Sequence, residues 1–233
     1  MSGSHRSTDY RRKALPRRIT QPLLRRQQQR LYEAYARHFP PSPDQRVLDL
    51  GVNGSLEEPQ LHFFEFNYPH RDRIVAAGLE EPDIFKRCFP AVAYVQLRRD
   101  GRLPFADDEF DVVFCNAVVE HVGSRERQRE FLAEIARVGR AAFVTTPNRW
   151  FPIELHTVLP LVHWLPTSWY RRILRVLGFS FFSREENLNL LDRDSLAALV
   201  PERVPSQVYR RRLFGFTANL LLIMRRQGAT RAS

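Results

Sequence analysis

Short apolar runs alternating with helix-spaced segments dominate the middle of the chain and leave few ways to fold it. Arg46 to Leu50 (RVLDL) ends at Gly51, and similar runs follow at Arg73 to Ala77 (RIVAA), Ala93 to Leu97 (AYVQL), Phe110 to Cys115 (FDVVFC) and Ala141 to Thr145 (AAFVT). Runs this apolar suit strands covered on both faces, as in parallel sheets. Between the last two, Phe131, Ile135 and Val138 share one face of a helix over Arg125 to Val138. Parallel neighbours need crossover connections, and right-handed crossovers lay their helices back on the sheet. The pattern therefore predicts an α/β fold, a three-layer sandwich around a mostly parallel sheet.

The ends of the pattern differ from its middle. After a short helix at Asp194 to Leu199, the runs Gln207 to Leu213 and Ala218 to Met224 are separated by Gly215 and Phe216, too close for a crossover, so they pair antiparallel. Near the start, Leu23, Leu24, Leu31, Tyr32, Ala34 and Tyr35 fall at helical spacing between Gln21 and His38, and Pro40, Pro41 and Pro43 stop the helix. The expected organisation is a flexible basic arm (1–19), a docking helix and linker (20–44), a main domain (45–224) with an aromatic cap insertion (149–190), and a basic tail (225–233).

With 43% hydrophobic and 27% charged residues among 233, the chain has the composition of a globular protein rather than a disordered or fibrous one. Its two cysteines, Cys88 and Cys115, sit in no CxxC or Cys/His cluster, so neither a disulfide framework nor a metal site is expected, and a reducing cytoplasm fits. The longest apolar run, Leu220 to Met224, falls far short of the ~20 residues needed to span a bilayer. The net charge of +10 is uneven: residues 1–30 hold nine basic groups and one acid, residues 201–233 seven and one, and the middle is mildly acidic. Phosphate neutralisation needs a basic face built into the fold, so nucleic acid is not an expected partner. The basic ends read first as solvated, partly disordered tails, with contact to RNA or peripheral contact with an anionic membrane surface as the alternative.

In open α/β sheets the ligand sits beyond the carboxyl ends of the strands. Here the first such loop is Asp49-Leu50-Gly51-Val52-Asn53-Gly54-Ser55, with Asp100-Gly101 after the third strand. Together with Leu103 to Val122 (LPFADDEFDVVFCNAVVEHV) and Val144 to Arg149 (VTTPNR), this resembles the class I S-adenosylmethionine-dependent methyltransferases of the small-molecule, type 11-like kind. The resemblance covers about residues 45 to 224. It implies a Rossmann-like, seven-stranded sheet with an antiparallel last strand, S-adenosyl-L-methionine as cofactor, and methyl transfer to an oxygen or nitrogen of a small-molecule or lipid-linked acceptor.

Carried over residue by residue, the resemblance puts Asp49, Gly51, Asn53, Gly54 and Ser55 against the methionine part of the cofactor. Asp100, with Gly101, would receive the adenine amino group, which needs an acceptor. Asn116 and Ala117 would border the sulfonium. Two departures stand out: Val52-Asn53-Gly54-Ser55 interrupts the usual DxGxGxG, and Gly78 occupies the end of the second strand, where the family has a ribose-binding acid. Glu80 is the nearest replacement.

For a proton acceptor near neutral pH, His156 and His121 are the candidates; His121 alternatively packs near the adenosine. All three tryptophans, Trp150, Trp164 and Trp169, fall within the cap, which suits an apolar acceptor or a structural cap with its own small core. Two rival functions remain open. A nicotinamide-dependent oxidoreductase shares the sheet but wants GxGxxG, which this loop lacks; a non-catalytic relative would bind lipid or a partner protein through the cap.

Overall fold

The computed structural model describes residues 17–54, 62–98 and 101–226, with side chains described from residue 25 onward. In chain order the elements are α1 (Arg17–His38), β1 (Val47–Leu50), α2 (Phe63–Asn67), β2 (Ile74–Gly78), α3 (Asp83–Cys88), β3 (Ala93–Gln96), β4 (Phe110–Asn116), α4 (Arg125–Val138), β5 (Gly139–Pro147), α5 (Thr167–Val176), α6 (Arg193–Ala198), β6 (Ser206–Leu213) and β7 (Phe216–Arg225). They build one seven-stranded sheet in the order β3-β2-β1-β4-β5-β7-β6. β1 to β5 are parallel, and β7 runs antiparallel to both β5 and β6. The last strand is therefore the one reversed.

Strand order follows from burial. β1 (VLDL) is buried at every position and lies inside the sheet next to the central β4, paired with β2 on its other side. The order reverses there, between β1 and β4, which opens the crevice that such sheets use for ligands.

Two apolar layers cover the sheet. On one face Leu132, Ile135 and Val138 of α4 and Leu196 of α6 pack on Leu48, Val113 and Val144. On the other, Leu31, Ala34 and Tyr35 of α1 meet Phe63, Phe64, Phe114 and Phe143. Tyr35 is fully buried, its ring edge-on to Phe64, Phe114 and Phe143 with centroids 4.9, 5.7 and 5.5 Å away. Such contacts add to the area that a tyrosine buries, so α1 is a layer of the core.

Local chemistry fixes the ends. The Ser124 side chain caps α4 by accepting from the Arg127 amide, and Asp192 and Ser195 form a capping box on α6. β6 and β7 join through Phe214 and Gly215, both at positive φ (50° and 81°), as a two-residue hairpin with the native strand twist requires. Phe216 thus opens β7 instead of lying in the turn.

Two sequence boundaries need correction. Residues 17–19 belong to α1, not to a loose arm, and residues 1–16 lie outside the described residues. Arg225 belongs to β7 rather than to a tail, donating to the His38 carbonyl at 2.9 Å and stacking over Phe39. Arg210, Arg211 and Arg212 belong to β6, so part of the C-terminal positive charge lies on an edge strand, where charge discourages pairing with another sheet.

The cap has a small core of its own, in which Tyr170, Leu174, Phe182, Leu188 and Leu190 pack together. Trp150, Trp164 and Trp169 remain exposed. The small core agrees with the structural reading of the cap, and the three tryptophans lie outside that core. Among the described residues no helix is long and apolar enough to cross a membrane.

Candidate functional site

At the carboxyl ends of β1 and β4 lies a cleft enclosing about 490 Å³ of space unfilled by protein, solvent at its mouth included. Asp49, Gly51 and Asn53 line it from β1 and its loop, Phe114 and Asn116 from β4, and His62, Phe63 and Glu65 from α2 and its approach. Asp49, Gly51, Asn53 and Asn116 were expected here. The α2 residues were not singled out, though the aromatic run Phe63-Phe64-Glu65-Phe66 carried a signal: an acid enclosed by rings.

Asp49 and Glu65 are both buried and hydrogen-bond to each other. Burial, then the charge of Glu65 and the hydrogen bond to it, raises the Asp49 carboxyl well above its ordinary range. Glu65 is pushed up to about 7, chiefly by burial, against lowering hydrogen bonds from its own backbone amide and from Asp49. Its Oε1 is buried without a hydrogen-bond partner. Two acids in one low-dielectric corner cannot both ionise cheaply, and a cation beside them would relieve the conflict.

The glycine turn is shaped by the protein itself. The amides of Gly51 and Val52 donate to the Ala77 carbonyl, and the Gly54 carbonyl accepts from the Phe85 amide, so the loop folds onto the end of β2. A Cβ on Gly51, already at φ 97°, would meet Val118 at 2.2 Å, and one on Gly54 would meet the Glu81 carbonyl at 2.5 Å. At Gly78 it would lie 1.9 Å from the Val52 carbonyl oxygen. No acid fits at the end of β2 while the loop is there.

Of the remaining expected residues, Gly54, Glu80, Gly101 and Ala117 do not line the cleft. Glu80 lies half-buried beyond β2, its carbonyl accepting from the Tyr94 hydroxyl at 2.9 Å. Ala117 is exposed at φ 55°, directly after Asn116, whose Oδ1 accepts from Thr145 Oγ1 at 2.6 Å. Gly101 is exposed at φ 88° with open space around it. Ser55 and Asp100 lie outside the described residues.

His121 and His156 are brought together although 35 positions apart, with Nε2 atoms 3.1 Å from each other. His121 ends the turn after β4, and His156 follows β5, so the pair belongs to the same end of the sheet as the cleft. Glu154 anchors His156, accepting at Oε1 from its amide at 2.8 Å and meeting its Nδ1 at 2.6 Å. Burial would raise the Glu154 carboxyl, but hydrogen bonds from His156 and Thr157 and the charge of His156 bring it down to about 2. Sequence reasoning passed over Glu154; its signal was the Glu-x-His spacing.

Residues 78–142 match the family of the methyltransferase domain. No curated protein matches the sequence. Solved structures are similar over most of the chain. The PH0226 protein of Pyrococcus horikoshii is 13% identical, with 84% of this chain and 88% of that one covered at a TM-score of 0.55. The Burkholderia thailandensis 1,6-didemethyltoxoflavin-N1-methyltransferase, solved with its 1,6-didemethyltoxoflavin and S-adenosylhomocysteine, is 15% identical over 85% and 77%, at 0.53. A Rhodobacter sphaeroides protein provisionally assigned to the Zn-dependent alcohol dehydrogenases is 13% identical over 84% and 88%, at 0.55. At these identities the likeness establishes the fold. The resemblance read from the sequence agrees with both findings: residues 78–142 match the methyltransferase domain, and the sheet has the Rossmann-like fold of solved S-adenosylmethionine-dependent methyltransferases.

Proposed function

We propose that the chain binds S-adenosyl-L-methionine in the β1/β4 cleft and transfers its methyl group to a small-molecule or lipid-linked acceptor. The observation that carries this reading is the Asp49–Glu65 pair, two buried carboxyls in the cleft with one oxygen unpartnered. The cofactor carries an ammonium and a sulfonium. Acids and aromatic faces suit both cations, and Phe63 and Phe114 supply the faces. In this reading Asp49 and Glu65 hold the ammonium, Asn116 borders the sulfonium, and Asp100 accepts from the adenine amine; Ala117 and Glu80 lie outside the cleft lining, which leaves Glu80 only as the nearest acid to where the ribose would extend. A nicotinamide offers no second cation for the carboxyl pair, which favours methyl transfer over the oxidoreductase.

Transfer from a sulfonium is an in-line displacement: the acceptor's lone pair forms the new bond to the methyl carbon as the carbon–sulfur bond breaks, leaving neutral S-adenosylhomocysteine. Alignment and exclusion of water supply most of the acceleration. The acceptor's proton must leave, and the histidine pair is the basic feature at this end of the sheet. His156 is buried behind His121, so His121 is the member an acceptor would meet.

The cap favours an apolar or lipid-linked acceptor. Trp169 and Val176 of α5 are 65% and 81% exposed, with exposed Arg172 and Arg175 on the same helix. Apolar and arginine side chains together suit the surface of an anionic bilayer. Sedimentation with phosphatidylserine vesicles, but not with phosphatidylcholine ones, is the expected result; no sedimentation with phosphatidylserine vesicles would refute membrane contact, and equal recovery with both would refute its dependence on anionic charge.

Transfer itself is tested by incubating the protein with methyl-labelled cofactor and separate aqueous and lipid extracts. Label should enter an extractable organic product and be abolished by excess S-adenosylhomocysteine. Label confined to the unreacted cofactor in every extract would leave the non-catalytic reading in its place.

A further inference from the structure

We infer that Glu120, His121 and His156 form a binding site for a divalent first-row transition-metal ion. Their donor atoms lie within 4.8 Å of one another, with the two Nε2 atoms 3.1 Å apart and Glu120 Oε1 3.9 Å from His121 Nε2. At metal–nitrogen distances of about 2.0–2.1 Å, nitrogens that far apart subtend an angle of roughly 100° at a shared ion. A carboxylate adjustment of about 0.5–1 Å would bring all three donors within bonding range of it.

The hydrogen bonds outside the triad fix the tautomers. His156 Nδ1 faces Glu154 Oε1 at 2.6 Å, and His121 Nδ1 faces the Asn187 carbonyl at 2.7 Å. A carboxylate and a carbonyl only accept, so both Nδ1 atoms carry hydrogens, and when both rings are neutral their Nε2 lone pairs point into one gap. Imidazoles that hold metals are oriented in this way, by a carboxylate or a carbonyl on the far nitrogen. Two facing lone pairs repel unless something positive lies between them.

Glu120 supplies the second, independent observation. Its side chain is fully buried; Oε2 accepts from Thr146 Oγ1 at 3.0 Å, while Oε1 has no hydrogen-bond partner. A buried carboxylate oxygen left so is costly, and this one borders the gap. The surroundings are held firmly: Gln128 Nε2 donates to the carbonyls of Val119 and Asn189, and the Asn189 amide donates to the Glu120 carbonyl. The His121 side chain is 34% exposed, giving solvent a way in.

Two imidazoles and one carboxylate select first-row divalent ions over calcium or magnesium, and three protein ligands leave positions for an outside group. An ion here would act as a Lewis acid on an acceptor oxygen or nitrogen. That role rests on the methyl-transfer reading; binding of the ion does not.

The test uses the full chain, stripped with a chelator and titrated with Co²⁺ for its visible d–d absorption, then with Zn²⁺ in competition. One equivalent should bind with a micromolar or lower Kd. His156→Gln should weaken binding at least 100-fold and Glu120→Gln at least tenfold, in variants whose circular dichroism matches the parent. Glu154→Gln, which leaves the three ligands in place, should weaken it about 10- to 100-fold. The proposal is overturned by the absence of saturable Co²⁺ absorption, as a pair sharing only a proton would give, or by folded variants that bind within twofold of the parent. Cofactor binding is read separately, by S-adenosylhomocysteine titration of the metal-free chain, so either reading can fail without the other.

Discussion

Replacing Glu65 by glutamine should make the protein more stable, and only above mildly acidic pH. Glu65 is 1% exposed, and its carboxyl is raised from 4.5 to about 7. Below about pH 4.5 the group holds its proton both folded and unfolded; above about 7 it holds it in neither; between these limits only the folded chain keeps it. Stability of the parent therefore falls as pH rises through that window. Each pKa unit corresponds to about 1.4 kcal/mol, so the ionised side chain costs about 3 kcal/mol at pH 8, a loss shared with its partner Asp49. Glutamine has the same shape, can still bond to Asp49 and does not titrate. Urea unfolding followed by tryptophan fluorescence should give equal stabilities near pH 5 and a variant about 3 kcal/mol more stable near pH 8. A difference that does not change with pH, or a variant less stable at pH 8, would refute the buried-pair argument.

Gly78→Ala should destabilise by about 1–3 kcal/mol through overpacking, because its Cβ would fall 1.9 Å from the Val52 carbonyl oxygen; thermal unfolding reads this directly, and an unchanged Tm would mean that the loop is not fixed against β2. Tyr35→Ala should cost about 3–5 kcal/mol, since the ring is fully buried among Phe64, Phe114 and Phe143, and denaturant titration should show one cooperative transition at lower urea. Asp100→Ala should weaken S-adenosylhomocysteine binding by more than tenfold, and an affinity within twofold of the parent would remove that residue from the adenine contact. Affinity for the cationic cofactor should rise between about pH 6 and 8 as the Asp49–Glu65 pair loses its proton, and calorimetry on Glu65→Gln should find that rise flattened and the affinity lower.

The fold was legible because burial on both faces forces apolar strand sequences. RVLDL, FDVVFC and AAFVT could sit only in the middle of a covered sheet, and the two close runs at the end could only form a hairpin. Asp49 and Asn116, at the ends of two buried strands, came from the resemblance, and both line the cleft. Glu65 was missed because its contact to Asp49 depends on how α2 folds back, which no local periodicity encodes. Gly78 looked like a lost acid until the Val52 carbonyl was seen in the space that an acid would need. His121 and His156 were both chosen, but as separate candidates; their meeting, and Glu120 beside them, depends on the turns after two different strands. A search for metal ligands by close sequence spacing finds none of this.

The most direct test of the account is calorimetric titration of the full chain with S-adenosylhomocysteine, run beside an identical titration with NADH. The account predicts saturable micromolar binding of S-adenosylhomocysteine at one site and no heat from NADH. Binding of NADH in its place, or of neither, would contradict it.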